Sequence, residues 1–231
     1  MQKRICYTEI AYMIGLVLLA LGTAMTAWAG FGISMVVAPA YILYLKLSQI
    51  LPWFSFGMAE YTLQIVILGI MMLLLKRVKG VYFLAIATAV LYGFLLDGAM
   101  ALMELIPNHG LWCRLTVYTA GVLVCTAAIS LLFYSYLPPA AYEMLVKNLA
   151  AAYGWQVSRV KTVYDLCSLA AGVGLSLVLL GRIQGVGIGT VICAFCYGWL
   201  ISLFSKLFTR LWDFQDRFAL REKFEERKQN I

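Results

Sequence analysis

Charged residues are scarce in this chain of 231 residues, where Asp, Glu, Lys and Arg together make up 13%. Soluble domains usually contain about 25% charged residues. Apolar residues reach 63% and the mean hydropathy is +0.87. The chain therefore lacks the polar surface of an ordinary soluble enzyme, and it is too apolar to be disordered. This composition predicts an integral membrane protein.

Residues suited to catalysis or metal binding are also few. The only histidine, His109, falls in the turn Pro107–Gly110. Cys193 and Cys196 have CxxC spacing, but no second Cys or His pair stands nearby to complete a zinc site. Thiols inside apolar runs behave as small hydrophobic groups. With no nucleophile–base pair and no metal cluster, we predict that the protein is not an enzyme and has no cofactor or metal.

The net charge of +7 does not indicate nucleic-acid binding. The basic residues sit in short clusters between apolar runs, where the positive-inside rule places them in membrane proteins. We therefore expect the lipid bilayer and a small-molecule substrate as partners, and no nucleic acid.

Six apolar runs of about 18–23 residues are long enough to cross a roughly 30 Å hydrocarbon core as helices. They are Ile10–Ala29, Gly57–Leu75, Val81–Met103, Leu115–Leu137, Val163–Leu180 and Ile188–Phe208. A seventh run, Ile33–Leu45, is short and broken by Pro39, and a similar short segment lies near residues 140–156 after Pro139. Backbone freed by proline is tolerated at membrane depth only where protein or a water-filled cavity covers it. Both short segments could therefore either cross the membrane or return to the side that they left.

The first run has a second interpretation. Lys3 and Arg4 precede it, and it ends in Ala27-Trp28-Ala29, which resembles a signal-peptide cleavage site. The run is longer than the apolar core of a typical signal peptide. The residues after it also belong to an internal repeat, so we interpret it as a permanent helix.

Charge distinguishes two topologies. If both short segments crossed the membrane, there would be eight crossings, and Lys76, Arg77 and Lys79 would lie opposite Lys3 and Arg4. If both segments return to the side they left, there are six crossings and nearly all basic residues share one side. The positive-inside rule favours six spans with both termini cytoplasmic.

An internal repeat appears when the chain is shifted by 105 positions. Residues 60–98 then align without a gap on 165–203, and the patterns Arg-x-x-Gly-Val and Tyr-Gly-x-Leu recur in one register. Three crossings per repeat is an odd number, so the second copy is inserted upside down. The sequence predicts an all-α membrane domain, residues 1–208, made of two inverted three-helix repeats, 10–104 and 112–208. Residues 209–231 form a cytoplasmic tail.

Inverted repeats with short broken segments at matching positions are typical of secondary transporters, whose substrate site lies at the repeat interface. The alternative is that the duplication records ancestry only, and that the protein is a structural or accessory subunit.

Two glycine-rich turns lie between an apolar helix and the segment that follows it. Their glycines, together with the two prolines, are candidate hinge residues: Gly30, Gly32, Pro39, Pro139, Gly185, Gly187 and Gly189. A turn before a helix N-terminus presents free N–H groups that can hold an anion. Small residues also permit tight helix packing in membranes. Both interpretations stay open at this point.

Three acids are candidates for binding a cation or carrying a proton. Glu60 and Asp165 occupy equivalent repeat positions at the predicted start of a helix, where an acid can also simply offset the helix dipole. Asp97 is the deepest acid, and an intramembrane carboxylate is by default a functional hypothesis, unless it caps or pairs with a neighbouring helix. Glu143 and Lys147 stand four residues apart, which favours mutual pairing.

Aromatic residues mark two further features. Tyr92 and Tyr197 are equivalent in the repeat and are candidates to face a cavity. The tail, Arg210–Ile231, alternates acids and bases around aromatic residues. We interpret it as an amphipathic helix on the membrane surface, or as a segment that pairs with a second copy in a homodimer.

Several motifs resemble the YczE/YyaS/YitT-like bacterial membrane proteins: the first glycine turn, Pro39-Ala40-Tyr41, Lys161-Thr-Val-Tyr164-Asp165 and Gly185-Val-Gly187-Ile-Gly189-Thr190. The resemblance covers most of residues 10–208, although the acid that follows the first turn in that family is missing here. It implies a permease-like architecture in the inner membrane of a bacterial cell. The leading hypothesis is a small secondary transporter or exporter. The alternatives are an accessory protein of a biosynthetic or secretion complex, and a substrate-capture subunit of an importer.

Overall fold

The computed structural model describes residues 4–76, 80–107, 110–135, 137 and 140–215. His109, Pro139 and residues 216–231, about which the sequence makes predictions, lie outside this part of the chain. Within it the chain forms eight helices: α1 (Thr8–Ala29), α2 (Ala38–Leu47), α3 (Phe56–Leu75), α4 (Gly80–Glu104), α5 (Gly110–Phe133), α6 (Ala141–Tyr153), α7 (Val157–Leu180) and α8 (Ile188–Leu211). Two short strands, β1 (Arg4–Tyr7) and β2 (Trp212–Gln215), flank them.

Six helices are long and apolar enough to cross a membrane: α1, α3, α4, α5, α7 and α8. They correspond to the six long apolar runs, so the predicted six-span, all-α membrane architecture is confirmed. The remaining helices, α2 and α6, have 10 and 13 residues. At 1.5 Å per residue they span about 15 and 20 Å, well short of a roughly 30 Å hydrocarbon core. Pro39 lies in the first turn of α2, where its missing N–H has no helical partner to lose, so it begins the short helix instead of interrupting it.

The centre of the bundle is the crossing of α1 and α5. Gly15, early in α1, lies against Leu132, late in α5. Gly22 packs on the α5 backbone so closely that an added Cβ would stand 2.8 Å from Cys125 N and 2.9 Å from Gly121 O. Residues near the N-terminus of α1 therefore contact residues near the C-terminus of α5, so the two helices are antiparallel. Antiparallel helices have an even number of membrane crossings between them in the chain. Helices α3 and α4 are two such crossings, whereas a spanning α2 would make three.

The two ends of the described chain meet. Strands β1 and β2 pair in parallel, with Arg4 opposite Trp212 and Tyr7 opposite Gln215. Their pairing places both ends at the same end of the helix bundle, as six crossings require. It also corrects the tail prediction, because Trp212–Gln215 is a strand where an amphipathic helix was expected.

The other helix pairs follow a pattern across the two halves. Helix α1 packs on α4, and likewise α5 packs on α8. Helix α2 packs on α7, and likewise α6 packs on α3. Helix α2 also packs on α3, and likewise α6 packs on α7. If each helix is replaced by its counterpart in the other half (α1 by α5, α2 by α6, α3 by α7, α4 by α8, and the reverse), each of these pairs becomes another pair of the same set. One pair breaks the pattern: α3 and α4 are closely packed, whereas α7 and α8 make at most a marginal contact among the described residues. Accordingly α7 and α8 are the least buried spans, with 11% and 17% of their most apolar stretches buried against 56% in α1.

Candidate functional site

A cavity of about 410 Å³ lies between the two halves of the molecule. This volume falls in the range of roughly 300–1,000 Å³ that is usual for ligand pockets. Helices α1, α3 and α4 line it from the first half, and α5, α6, α7 and α8 line it from the second. The repeat interface is where the sequence predicts a substrate site.

Both short helices begin at this cavity. Residues Ser34–Val37, which lead into α2, line it from one side, and Ala140, Tyr142 and Glu143 at the start of α6 line it from the other. Each helix therefore turns its N-terminal end, which carries a partial positive charge, toward the same space.

The cavity wall is mainly aliphatic, with a few hydroxyl groups. Tyr92 and Tyr197, equivalent in the repeat, both line it. The Tyr92 hydroxyl donates a hydrogen bond of 3.1 Å to Thr23 Oγ1 on α1, and Thr23 Oγ1 lies 3.9 Å from Cys125 Sγ on α5. The aliphatic side chains come from both halves and include Leu16, Val37, Ile129, Leu132 and Ile201.

Of the residues that the structure describes, three with charged side chains line the cavity: Glu143, Lys161 and Asp165. Lys161 Nζ donates to Asp165 Oδ1 at 3.4 Å, one helical turn away on α7. Glu143 Oε2 is buried and has no hydrogen-bond partner among the described residues. Burial raises the pKa of Glu143, and the nearby ammonium groups of Lys147 and Lys161 only partly oppose this.

The predicted ion pair between Glu143 and Lys147 is not formed. Lys147 Nζ instead lies over the Phe133 ring, 5.7 Å from its centroid. Helical spacing permits such a pair, but tertiary packing turns the carboxyl toward the cavity and the ammonium toward the aromatic ring. The interpretation that Glu143 and Lys147 pair with each other was therefore wrong.

Glu60 lies one layer behind the cavity wall and is completely buried. Its Oε1 accepts hydrogen bonds from the Tyr142 hydroxyl and, at 3.2 Å, from Gln64 Nε2, and both donors line the cavity. Its Oε2 has no partner among the described residues. A carboxylate charge buried in this way, without a cation beside it, is costly.

The structure excludes the helix-dipole explanation for Glu60 and Asp165. Helix α3 begins at Phe56, so Glu60 lies beyond its first turn, and α7 begins at Val157, so Asp165 lies in its third turn. Neither first turn contains an acid. The expectation that both acids open a helix was wrong, because each helix starts earlier than hydropathy indicates.

Asp97 does not line the cavity. Its carboxylate accepts hydrogen bonds of 2.6 Å from both Ser55 Oγ and Gly57 N, and Ser55 Oγ in turn accepts from Met58 N at 3.1 Å. The aspartate on α4 thus holds the N-terminus of α3, which is the capping alternative. The structure brings Asp165, Tyr92 and Tyr197 together at the cavity, with Glu60 behind them, and leaves Asp97 outside this group.

The two glycine turns bind each other. Ile33 N donates to Gly185 O at 3.1 Å, and Gly189 N donates to Phe31 O at 2.9 Å. Gly187 N donates to the Thr190 hydroxyl at 3.2 Å. These N–H groups therefore have protein partners, so the turns fit the packing interpretation and not the anion-binding one.

Close approach explains the glycines at this junction. Gly32 has φ +110°, and a Cβ there would stand 2.7 Å from Gly187 N. Gly30 has φ +71° and lies against the guanidinium of Arg114, whose Nε donates to Ala29 O at 2.8 Å. The turns tie the end of α1 to the starts of α5 and α8.

Sequence reasoning missed four members of the site: Gln64, Tyr142, Glu143 and Lys161. The sequence marks Lys161 only as part of the motif Lys161-Thr-Val-Tyr164-Asp165, whereas the structure places it in the second turn of α7, where it lines the cavity. Its spacing of four from Asp165 is the signal that could have found it. Gln64 and Tyr142 carry no such signal, because only the α3–α6 contact brings them together.

Comparison with known proteins gives one family. Residues 6–206 match DUF6198, which is described as a family of unknown function. No curated protein and no solved structure matches the chain. The comparisons give no link to the YczE/YyaS/YitT-like proteins, so that resemblance stays a prediction. Because the match covers most of its length, the six-span chain belongs to the DUF6198 family.

Proposed function

We propose that the protein is a small secondary transporter that moves a small molecule across a bacterial inner membrane by alternating access, with both termini cytoplasmic. The observation that supports this most is the cavity between the two halves, at which both short helices begin. Transporters built from inverted repeats bind substrate at such an interface and expose it to each side in turn.

The asymmetry of the two halves supports the same proposal. Gly57 and Gly93 hold α3 and α4 together, so closely that a Cβ on Gly93 would stand 2.8 Å from Gly57 O. The positions that correspond to them in the second repeat are Thr162 and Gly198, which both line the cavity. Apart from the backbone of its own helix, no atom of the described residues lies within 4 Å of a Cβ placed on Gly198. Helices α3 and α4 are thus packed together at the positions where α7 and α8 are apart.

Alternating access predicts a second state in which these roles are exchanged. Helices α7 and α8 would close at Thr162 and Gly198, and α3 and α4 would part at Gly57 and Gly93. A static accessory protein, the competing interpretation, has no need of such a state.

Cysteine cross-linking tests the exchange without knowledge of the substrate. The variant Thr162→Cys/Gly198→Cys, with the six native cysteines replaced, should form a disulfide in membranes under mild oxidation, because closure brings the two Cα atoms within about 7 Å. The matched control is Val163→Cys/Trp199→Cys, one residue further along the same helices, where both native side chains are exposed. Cross-linking of the first pair no faster than of the control would contradict alternating access.

A further inference from the structure

The groups that line the cavity indicate what kind of molecule it holds. We infer that the cavity binds a small monocation with an apolar body, a protonated amine, with the ammonium group at Glu143. As a binding site this stands on the cavity alone; as the transported substrate it rests on the proposed function.

The charge of the lining is the first argument. Among the cavity-lining residues that the structure describes, two carboxylates face one ammonium, and Lys161 already pairs with Asp165 at 3.4 Å. Glu143 is the acid left without an ion pair. Lys147, the other ammonium that faces Glu143, lies over the Phe133 ring and does not line the cavity, so a positive charge brought by a ligand can pair with Glu143 there.

Unmet hydrogen-bonding capacity is the second argument. In the described part of the chain, the buried side-chain atoms without a partner are two carboxyl oxygens, Glu60 Oε2 and Glu143 Oε2. Buried polar groups are nearly always hydrogen-bonded, so Glu143 at the wall and Glu60 behind it lack donors and not acceptors. An ammonium supplies three N–H donors, whereas an anion adds further acceptors.

The rest of the wall fits an apolar body. Aliphatic side chains from both halves surround the space, and Tyr92 and Tyr197 add aromatic rings that can attract a cation. No three metal-ligating side chains come together in the described residues. An organic cation therefore suits the wall better than a metal ion.

Binding of the amine should release a proton. Burial raises the pKa of Glu143, so in the empty cavity the carboxyl group retains its proton to higher pH than usual. The incoming ammonium replaces that proton: amine cation plus carboxylic acid gives the ion pair plus one H⁺. Apparent affinity should therefore rise with pH through the titration of Glu143. The other charged groups that face this carboxyl are Lys147, Lys161 and Asp165.

Isothermal titration calorimetry on the purified full chain in nanodiscs tests the assignment. The probe is 2-phenylethylamine, with 2-phenylethanol as the neutral analogue and 3-phenylpropanoate as the anionic one. We expect the amine to bind best, and its measured heat to depend on the ionisation enthalpy of the buffer, which reports the released proton. Tighter binding of the anion, which the two helix N-termini would favour, would overturn the inference. So would the absence of binding by an amine series from propylamine to decylamine.

Two substitutions change the cavity charge in opposite directions. Glu143→Gln should weaken amine binding about tenfold or more and abolish proton release, since a charge-assisted hydrogen bond is lost. Lys161→Met should strengthen amine binding several-fold, because it removes the competing ammonium. Glu104→Gln, at an exposed acid at the end of α4, is the matched control and should change neither. Weaker amine binding in Lys161→Met would contradict the inference even if Glu143→Gln failed to fold.

The two proposals can fail separately. Amine binding without a Thr162–Gly198 cross-link would support the binding site and contradict the proposed transport function. A cross-link without amine binding would keep alternating access and exclude this substrate class.

Discussion

Gly57 should be the least replaceable glycine of α3. A Cβ at this position would overlap the carbonyl oxygen of Gly93 and stand 2.7 Å from both Cγ and Oδ2 of Asp97. Since ordinary van der Waals contacts begin near 3.4 Å, α3 and α4 would have to separate by roughly 1 Å. Close-packed interiors do not yield that distance without losing contacts.

The cost can be estimated from the groups that would move. Overpacking of this kind costs about 1–3 kcal/mol. The carboxylate of Asp97 would also lose good geometry for its hydrogen bonds from Gly57 N and Ser55 Oγ, both 2.6 Å long, at about 1–3 kcal/mol. Alanine's higher helix propensity returns up to about 1 kcal/mol. The net loss for Gly57→Ala is therefore on the order of 2–4 kcal/mol.

Gly69 on the same helix provides the matched control, because a Cβ built there meets no atom of the described residues within 4 Å apart from the backbone of α3. Unfolding by SDS titration in mixed micelles should show Gly57→Ala destabilised by about 2–4 kcal/mol. Gly69→Ala should be unchanged or up to about 1 kcal/mol more stable. Equal stabilities of the two variants would refute the argument that the α3–α4 contact depends on glycine.

Three further predictions follow from the fold and the site. Asp97→Asn should destabilise the start of α3 by about 1–2 kcal/mol in the same titration, yet leave ligand affinity at the cavity unchanged; a selective loss of affinity would return Asp97 to the site. Gly32→Ala should cost more than Gly181→Ala, since both have positive φ but only the Cβ at Gly32 meets other atoms, and similar losses would contradict this reason. Single cysteines at Lys76 and Asn108 should react with impermeant reagents from opposite sides, with Lys76 cytoplasmic; labelling of Lys76 from outside would refute the topology.

Hydropathy predicted the spans because a bilayer accepts only long apolar segments as crossing helices. A crossing helix needs about 20 apolar residues, and that requirement is local in sequence. The short length of Ile33–Leu45 and the internal repeat pointed to the same architecture. The repeat also selected Tyr92 and Tyr197, which both line the cavity.

Interactions between distant segments were not predictable in this way. Asp97 caps a helix that begins 41 positions earlier in the chain, so nothing near it in sequence reveals its partner. Glu143 and Lys147 have the spacing of an ion pair, but Glu143 lines the cavity and Lys147 lies over the Phe133 ring, so the two do not pair. Strand β2 pairs with the opposite end of the chain, which no local periodicity can indicate.

The parallel pairing of β1 with β2 gives the molecule a mechanical property. A force applied to the two ends pulls β1 from its N-terminal side and β2 from its C-terminal side. Because the strands run in the same direction, that force slides them along each other and loads their hydrogen bonds together instead of one after another. The strand pair therefore bears the tension first, and α1 and α8 are shielded from a pull on the chain ends until the strands slip.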